Sequence, residues 1–478
     1  MITLIYSLLV SYGIGHAICS LIWPSAARTA YGRALAACVS FGIGTGVTSC
    51  MYFWWLALGA YRAGFAPYMI FEVLALLALS VAAHRTASPA RDPEGGTAAK
   101  ASGAFGSVLV ALFVIAAAAT VISFVIFASR VPHGEWDAYS IWNQHARFMS
   151  RQPELWTRMF DEALRWSHPD YPLMLPATVA RCWMYAGAEY TFAAQCAAFL
   201  FMVAMTATAS FAVSLVKGNL QGILCGLAIL SANRLVLHSS SQYADIPLAY
   251  LIVASVSMYL VYCKAGDDRR LLPAAGLLAA IAAWTKNEGI AFFVIYAVAL
   301  FIAESWRGRL KRAAVALAWF LCGSLPVILT LVYFKANFAP QNDIISFAGS
   351  ALSGQDGGIA GRLLDPDRYA VITGSFIHYS YFGGFVGKAG IFIYLLAAGV
   401  AVSKGQAKGV AFISAVLAGM AGVYFLIYLL SPQGLGWYIF CSLSRLLAQL
   451  FPAFMVAFFI AARSADEILS YRKAEEVK

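Results

Sequence analysis

The stretch FGSVLVALFVIAAAATVISFVIFASRVPHGEWDAYSIWNQHARF, Phe105 to Phe148, decides the fold class. Its first half carries no charge before Arg130 and exceeds the roughly 20 apolar residues needed to cross a bilayer. Its second half changes character at once. His133 to Phe148 holds two Trp, one Tyr, two His, one Arg, one Glu and one Asp in sixteen residues. A greasy span running into a polar, aromatic segment predicts a membrane helix followed by a surface-lying one.

The rest of the chain repeats the first half of that pattern. Of 478 residues, 61% are hydrophobic and 12% charged, against about 25% charged in soluble domains. In lipid only helices or closed barrels satisfy the backbone, and these runs are too long and continuous for barrel strands. The expected fold is therefore all-α and polytopic. Apolar runs beginning at Ile2, Ala34, Ala66, Phe105, Tyr190, Leu220, Ala244, Leu271, Ile290, Ala313, Phe385, Val410 and Ser442 predict about thirteen spans. The N-terminal MITLIYSLLV has no basic region of the kind that opens a cleavable signal. A Gly/Pro/Ser-rich linker, Ala83 to Gly103, separates residues 1–103, with three spans, from residues 104–478. Nine scattered Cys lack any CxxC and read as buried packing residues. GIGTG, Gly42 to Gly46, lies within a span and reads as close helix packing.

Lys and Arg in short loops mark the cytoplasmic side. The net charge of +10 fits that anchoring and not nucleic-acid binding. One set of loops is basic, including KAGDDRR, ESWRGRLKR, SKGQAK and the C-terminal tail. The N-terminus is then periplasmic and the C-terminus cytoplasmic. The other face receives two long loops, about 129–189 and 335–384, with HSSSQYAD, TKNEG and SPQGLGWY. Asp137, Asp170, Asp245, Lys286, Glu288 and Arg445 all fall there, at predicted helix ends. Ionisable groups at membrane depth are costly and usually functional.

Each motif has a plainer reading. In WDAYSIWNQHARFMSRQ, Trp136, Tyr139, Trp142, Phe148 and Met149 recur near helical spacing, with Asn143, Gln144, Arg147 and Arg151 opposite. An amphipathic interfacial helix fits, and its aromatics alone would suit a membrane belt. Asp137 at its start is either an N-cap or a reacting or ligand-binding carboxylate. In WSHPDYPLMLP, His168 and Asp170 either shape a turn or hold a metal or a sugar hydroxyl. Asp245 opens a span, where the helix dipole favours it. Lys286 in WTKNEG either snorkels or holds an anion. Arg445, within the last apolar run, suits phosphate oxygens.

The order of these motifs, with YADIPLA, TKNEG and SRLLAQLFP, resembles the GT-C superfamily of integral membrane glycosyltransferases. That superfamily includes protein O-mannosyltransferases, the aminoarabinose transferase of lipid A and oligosaccharyltransferases. The resemblance covers about Phe105 to the C-terminus. It implies a polyprenyl-phosphate-linked sugar donor, used on the periplasmic face of a bacterial inner membrane. A lipid, glycan or protein hydroxyl would be the acceptor. By motif position it implies Asp137 as general base or as a group that binds acceptor or metal, Asp245 as a second acid, and Lys286 and Arg445 at the donor phosphate, where Arg147 is a further candidate. Sugar or acceptor contacts would come from Trp136, Tyr139, Trp142, His168, Asp170, Tyr243, Asp245 and Glu288. A divalent cation, Mg or Mn, on Asp137, His168, Asp170 and Asp245 stays an open alternative. Two departures stand out: the acidic loop follows the fourth span instead of the first, and Trp136 splits the usual acidic pair in EWD. A transporter or lipid flippase, or a polymerase or ligase with a diphosphate-linked donor, are the rival classes.

Overall fold

The computed structural model describes residues 2–86, 104–305, 310–340, 358–380, 390, 393–431, 434–464 and 467. Helices α1 (Ile2–Ile22), α2 (Ala30–Ala57), α3 (Ala66–Thr86) and α4 (Ala104–Arg130) come first. A short α5 (Asn143–Arg151) and α6 (Met174–Ala186) precede α7 (Thr191–Lys217), α8 (Asn219–Leu230) and α9 (Asn233–Ser240). Then come α10 (Asp245–Lys264), α11 (Leu272–Thr285), α12 (Asn287–Ser305) and α13 (Leu310–Asn337). Two short helices, α14 (Gly358–Leu364) and α15 (Pro366–Tyr379), lead to α16 (Lys404–Leu430) and α17 (Leu435–Ala461).

Ten of these helices are long and apolar enough to cross a membrane, or eleven if the pair α8 and α9, bent by 62°, is one span. That accounts for eleven of the thirteen expected starts. The run at Leu271 becomes α11, only 14 residues long. It would rise about 21 Å, short of a bilayer core, but every residue of it is buried except Pro273. Its apolar character therefore serves protein packing, not lipid. The run at Phe385 begins outside the described residues, and most of the 83–103 linker and parts of the 335–384 loop also lie outside them.

α10 is the axis of the bundle. It is apolar nearly all round, and every residue from Asp245 to Tyr262 is buried, as expected of a helix enclosed by others. α4 is the opposite case, with Val108, Val114, Ile115 and Ile122 facing outward. The glycines of GIGTG allow close contact: a Cβ on Gly44 would fall 2.0 Å from the Ser11 carbonyl of α1. Gly42 meets the Tyr250 hydroxyl of α10, which accepts its N–H at 3.0 Å. α2 is thus built into the same continuous core as α10 and α11.

Candidate functional site

The segment after α4 turns sharply before its helix begins. Gly134 adopts φ +74°, and a Cβ there would lie 2.7 Å from the Ser241 carbonyl. The Glu135 N–H donates to that same carbonyl at 3.2 Å. The Gln242 amide donates to the Pro132 carbonyl at 3.1 Å, and the Asn143 amide donates to Gln242 at 2.9 Å. These bonds staple the 131–143 segment to the turn before α10. They bring Asp137 beside Tyr243 and Asp245, a hundred residues away in sequence.

Asp137 does not act as a cap: it precedes a π-helical turn, Ala138–Trp142, and makes no side-chain cap bond. Its carboxylate instead accepts from the Arg445 guanidinium. Arg445 Nε also donates to Asp245 Oδ2 at 3.0 Å. Its charge lies 4.3 Å from the centre of the Tyr243 ring, a cation–π contact. Asp245 is fully buried. Lys286 donates to its Oδ1 at 3.0 Å, and Gln449, one turn beyond Arg445, donates to it at 2.5 Å. Lys286 also pairs with Glu288 at 2.9 Å. Burial and the Asp137 charge push the Tyr243 hydroxyl up to about 12, against the pull of Arg445. Tyr243 is therefore a neutral donor at ordinary pH.

Of the expected site residues, Asp137, Asp245, Lys286, Glu288 and Arg445 form one ionic cluster, with the Tyr243 ring against Arg445. Asp170 joins its edge, with Oδ2 accepting from the Asn287 amide at 2.7 Å. Tyr171 connects the two parts, because the charges of Glu288, Asp170 and Asp137 all bear on it. His168 sits in the left-handed region at φ 50° and stacks on Tyr171 at 5.2 Å.

Other expectations require correction. Trp142 does not share a face with Trp136 and Tyr139. Trp136 is 60% exposed and Tyr139 44%, whereas Trp142 is 1% exposed and stacked on Tyr171. The wider π turn breaks the helical register between them, so Trp142 is a core residue and no sugar platform. Asn143, expected on the polar face, is buried for the same reason. Arg147 is engaged elsewhere, 3.4 Å from Glu189 and over the Trp183 ring. Lys286 is not an open cation: it is 4% exposed between two carboxylates. The four metal candidates do not form a metal set either. Among the described residues no three His, Cys, Asp or Glu converge as ligands; Asp137 and Asp245 are both engaged by Arg445.

Sequence reasoning missed Gln449, Gln242, Asn287 and Lys335. Gln449 had a signal, a second polar residue four positions after Arg445 in an otherwise apolar helix. Lys335 had none beyond its place at the end of a span. His145 was also overlooked as a buried group. Burial, with His168 nearby, pushes it down to about 3, so it stays neutral.

No family model matches the chain. No curated protein matches it either. Among solved structures, it is similar to the crystal structure of ArnT from Cupriavidus metallidurans in the apo state. The identity is 15%, the TM-score is 0.45, and the match covers 75% of this chain. It spans 60% of the length of that structure.

Proposed function

We propose that this protein is a membrane glycosyltransferase. It moves a sugar from a polyprenyl-phosphate-linked donor to an acceptor hydroxyl, with inversion at the anomeric carbon. The active site opens on the periplasmic side of a bacterial inner membrane, with the N-terminus periplasmic and the C-terminus cytoplasmic. The observation that carries this reading is the Asp137–Arg445 pair at the mouth of a helical bundle. It unites a carboxylate and a guanidinium from segments 308 residues apart, neither of them spent on local structure.

The chemistry needs both groups. The acceptor hydroxyl attacks the anomeric carbon, and the bond from that carbon to the phosphate oxygen breaks. The hydroxyl proton passes to Asp137, a transfer that needs hydrogen-bond reach. Charge building on the departing phosphate is stabilised by Arg445, whose planar fork suits phosphate oxygens. Asp245, held by Lys286 and Gln449, fixes the guanidinium from behind. Tyr243 supports its face. Trp136 and Tyr139, exposed beside Asp137, are available to sugar or lipid.

The test is a panel of radiolabelled polyprenyl-phosphate sugars supplied to the purified protein with membrane lipid, glycan and protein acceptors. Transfer of label with release of polyprenyl phosphate is the expected result. Movement of the intact lipid across vesicles without transfer would favour a flippase instead.

A further inference from the structure

The charges of the site do not balance. With every group ionised, three carboxylates, Asp137, Asp245 and Glu288, face two cations, Arg445 and Lys286. Glu288 Oε2 is buried and has no hydrogen-bond partner among the described residues. A net negative cluster repels an anionic ligand, and each of its cations is already shared by two carboxylates. Arg147 is engaged as well, by Glu189. An incoming phosphate therefore needs a positive charge from elsewhere.

Lys335 supplies one. It lies in the last turn of α13, half-buried. Its ammonium donates to the Asn287 side-chain oxygen at 2.9 Å and to the Asp170 backbone carbonyl at 2.5 Å. Both acceptors are neutral. Among the described residues no carboxylate lies within ion-pair distance of Lys335. Three donors sit on an ammonium, so two neutral acceptors leave one N–H available, with the Asp170 carboxylate the nearest charge acting on it. Asn287 separates Lys286 from Glu288 in sequence and holds Asp170 on its other amide atom. Lys335 therefore borders the cluster through Asn287 and Asp170.

We propose that Lys335 is the residue that first binds the phosphate of the lipid-linked donor, with Arg445 engaging it afterwards. The proposal rests on the polyprenyl-phosphate reading above. Undecaprenyl phosphate, without sugar, is the probe. Wild-type protein in detergent should bind it by native mass spectrometry. Lys335→Gln should bind about tenfold more weakly, roughly the loss of one charged hydrogen bond, and Lys335→Arg within about threefold of wild type. Because Lys335→Gln also removes two structural bonds, a second measurement uses the unaltered chain. Undecaprenyl phosphate should slow acetylation of Lys335 by acetic anhydride, read by peptide mass spectrometry. Wild-type binding with an unprotected Lys335, or with equal binding by Lys335→Gln, overturns the assignment of Lys335 alone. No binding by wild type overturns the donor reading itself.

Discussion

Two buried ionic groups in this protein are built on opposite plans. In the N-terminal part, Glu72 of α3 meets Arg181 of α6. Both Glu72 oxygens accept from Arg181, at 2.7 and 2.6 Å, and each accepts once more, from Tyr68 and Tyr185. Arg181 has a further acceptor in the Ser7 carbonyl. Glu72 is 0% and Arg181 2% exposed. Charges balance and polar atoms are satisfied. At the candidate site the carboxylates outnumber the cations, one Glu288 oxygen has no partner among the described residues, and Asp137 and Arg445 keep 15% and 17% exposure. The first group locks three segments together. The second holds its charges in an unfinished arrangement at an accessible edge, as a ligand site requires.

The comparison breaks most visibly under mutation of the lock. Arg181→Ala should cost about 3–5 kcal/mol, because it strands a buried carboxylate. A thermal or denaturant midpoint measures this, and near-native stability would remove the distinction between the two groups. Next in size, Arg445→Ala should lower transfer about 10²–10³-fold, more through donor binding than acceptor binding. A selective rise in acceptor KM would contradict its phosphate role.

His145 gives a smaller, pH-dependent effect. Its folded value of about 3 lies below the ordinary 6.5, so the unfolded chain binds the proton first. Stability is fully present above about pH 6.5 and falls as pH drops toward 3. The slope is at most about 1.4 kcal/mol per pH unit, one proton's worth. His145→Asn should flatten that slope in thermal midpoints taken across this range. The smallest effect belongs to the exposed Arg151–Glu189 pair. Arg151→Ala should change stability by about 1 kcal/mol or less.

The spans were legible because lipid demands length and apolarity together. α3 starts at the expected Ala66, and α4 one residue before the expected Phe105. α11 misled because a helix buried in protein is as apolar as one in lipid. The gathering of Asp137, Asp245, Lys286, Glu288 and Arg445 was also legible, since charges collect at one level of a membrane protein. Their pairing was not. Periodicity cannot show that Arg445 bridges two acids, or that Asp245 and Glu288 neutralise Lys286. Nor does it show the π turn that sends Trp142 inward, because that register depends on Tyr171 and the turn before α10. Gln449 was readable by spacing, but Lys335 became visible only through its partners.

The central claim is that the Asp137 carboxylate takes the acceptor proton. Asp137→Asn keeps the side-chain shape and removes a charge that competes for Arg445. The variant should retain its thermal midpoint and bind undecaprenyl phosphate at least as tightly as wild type. Transfer from a polyprenyl-phosphate sugar should fall by about 10²-fold or more. Full transfer by a folded Asp137→Asn protein would contradict the account.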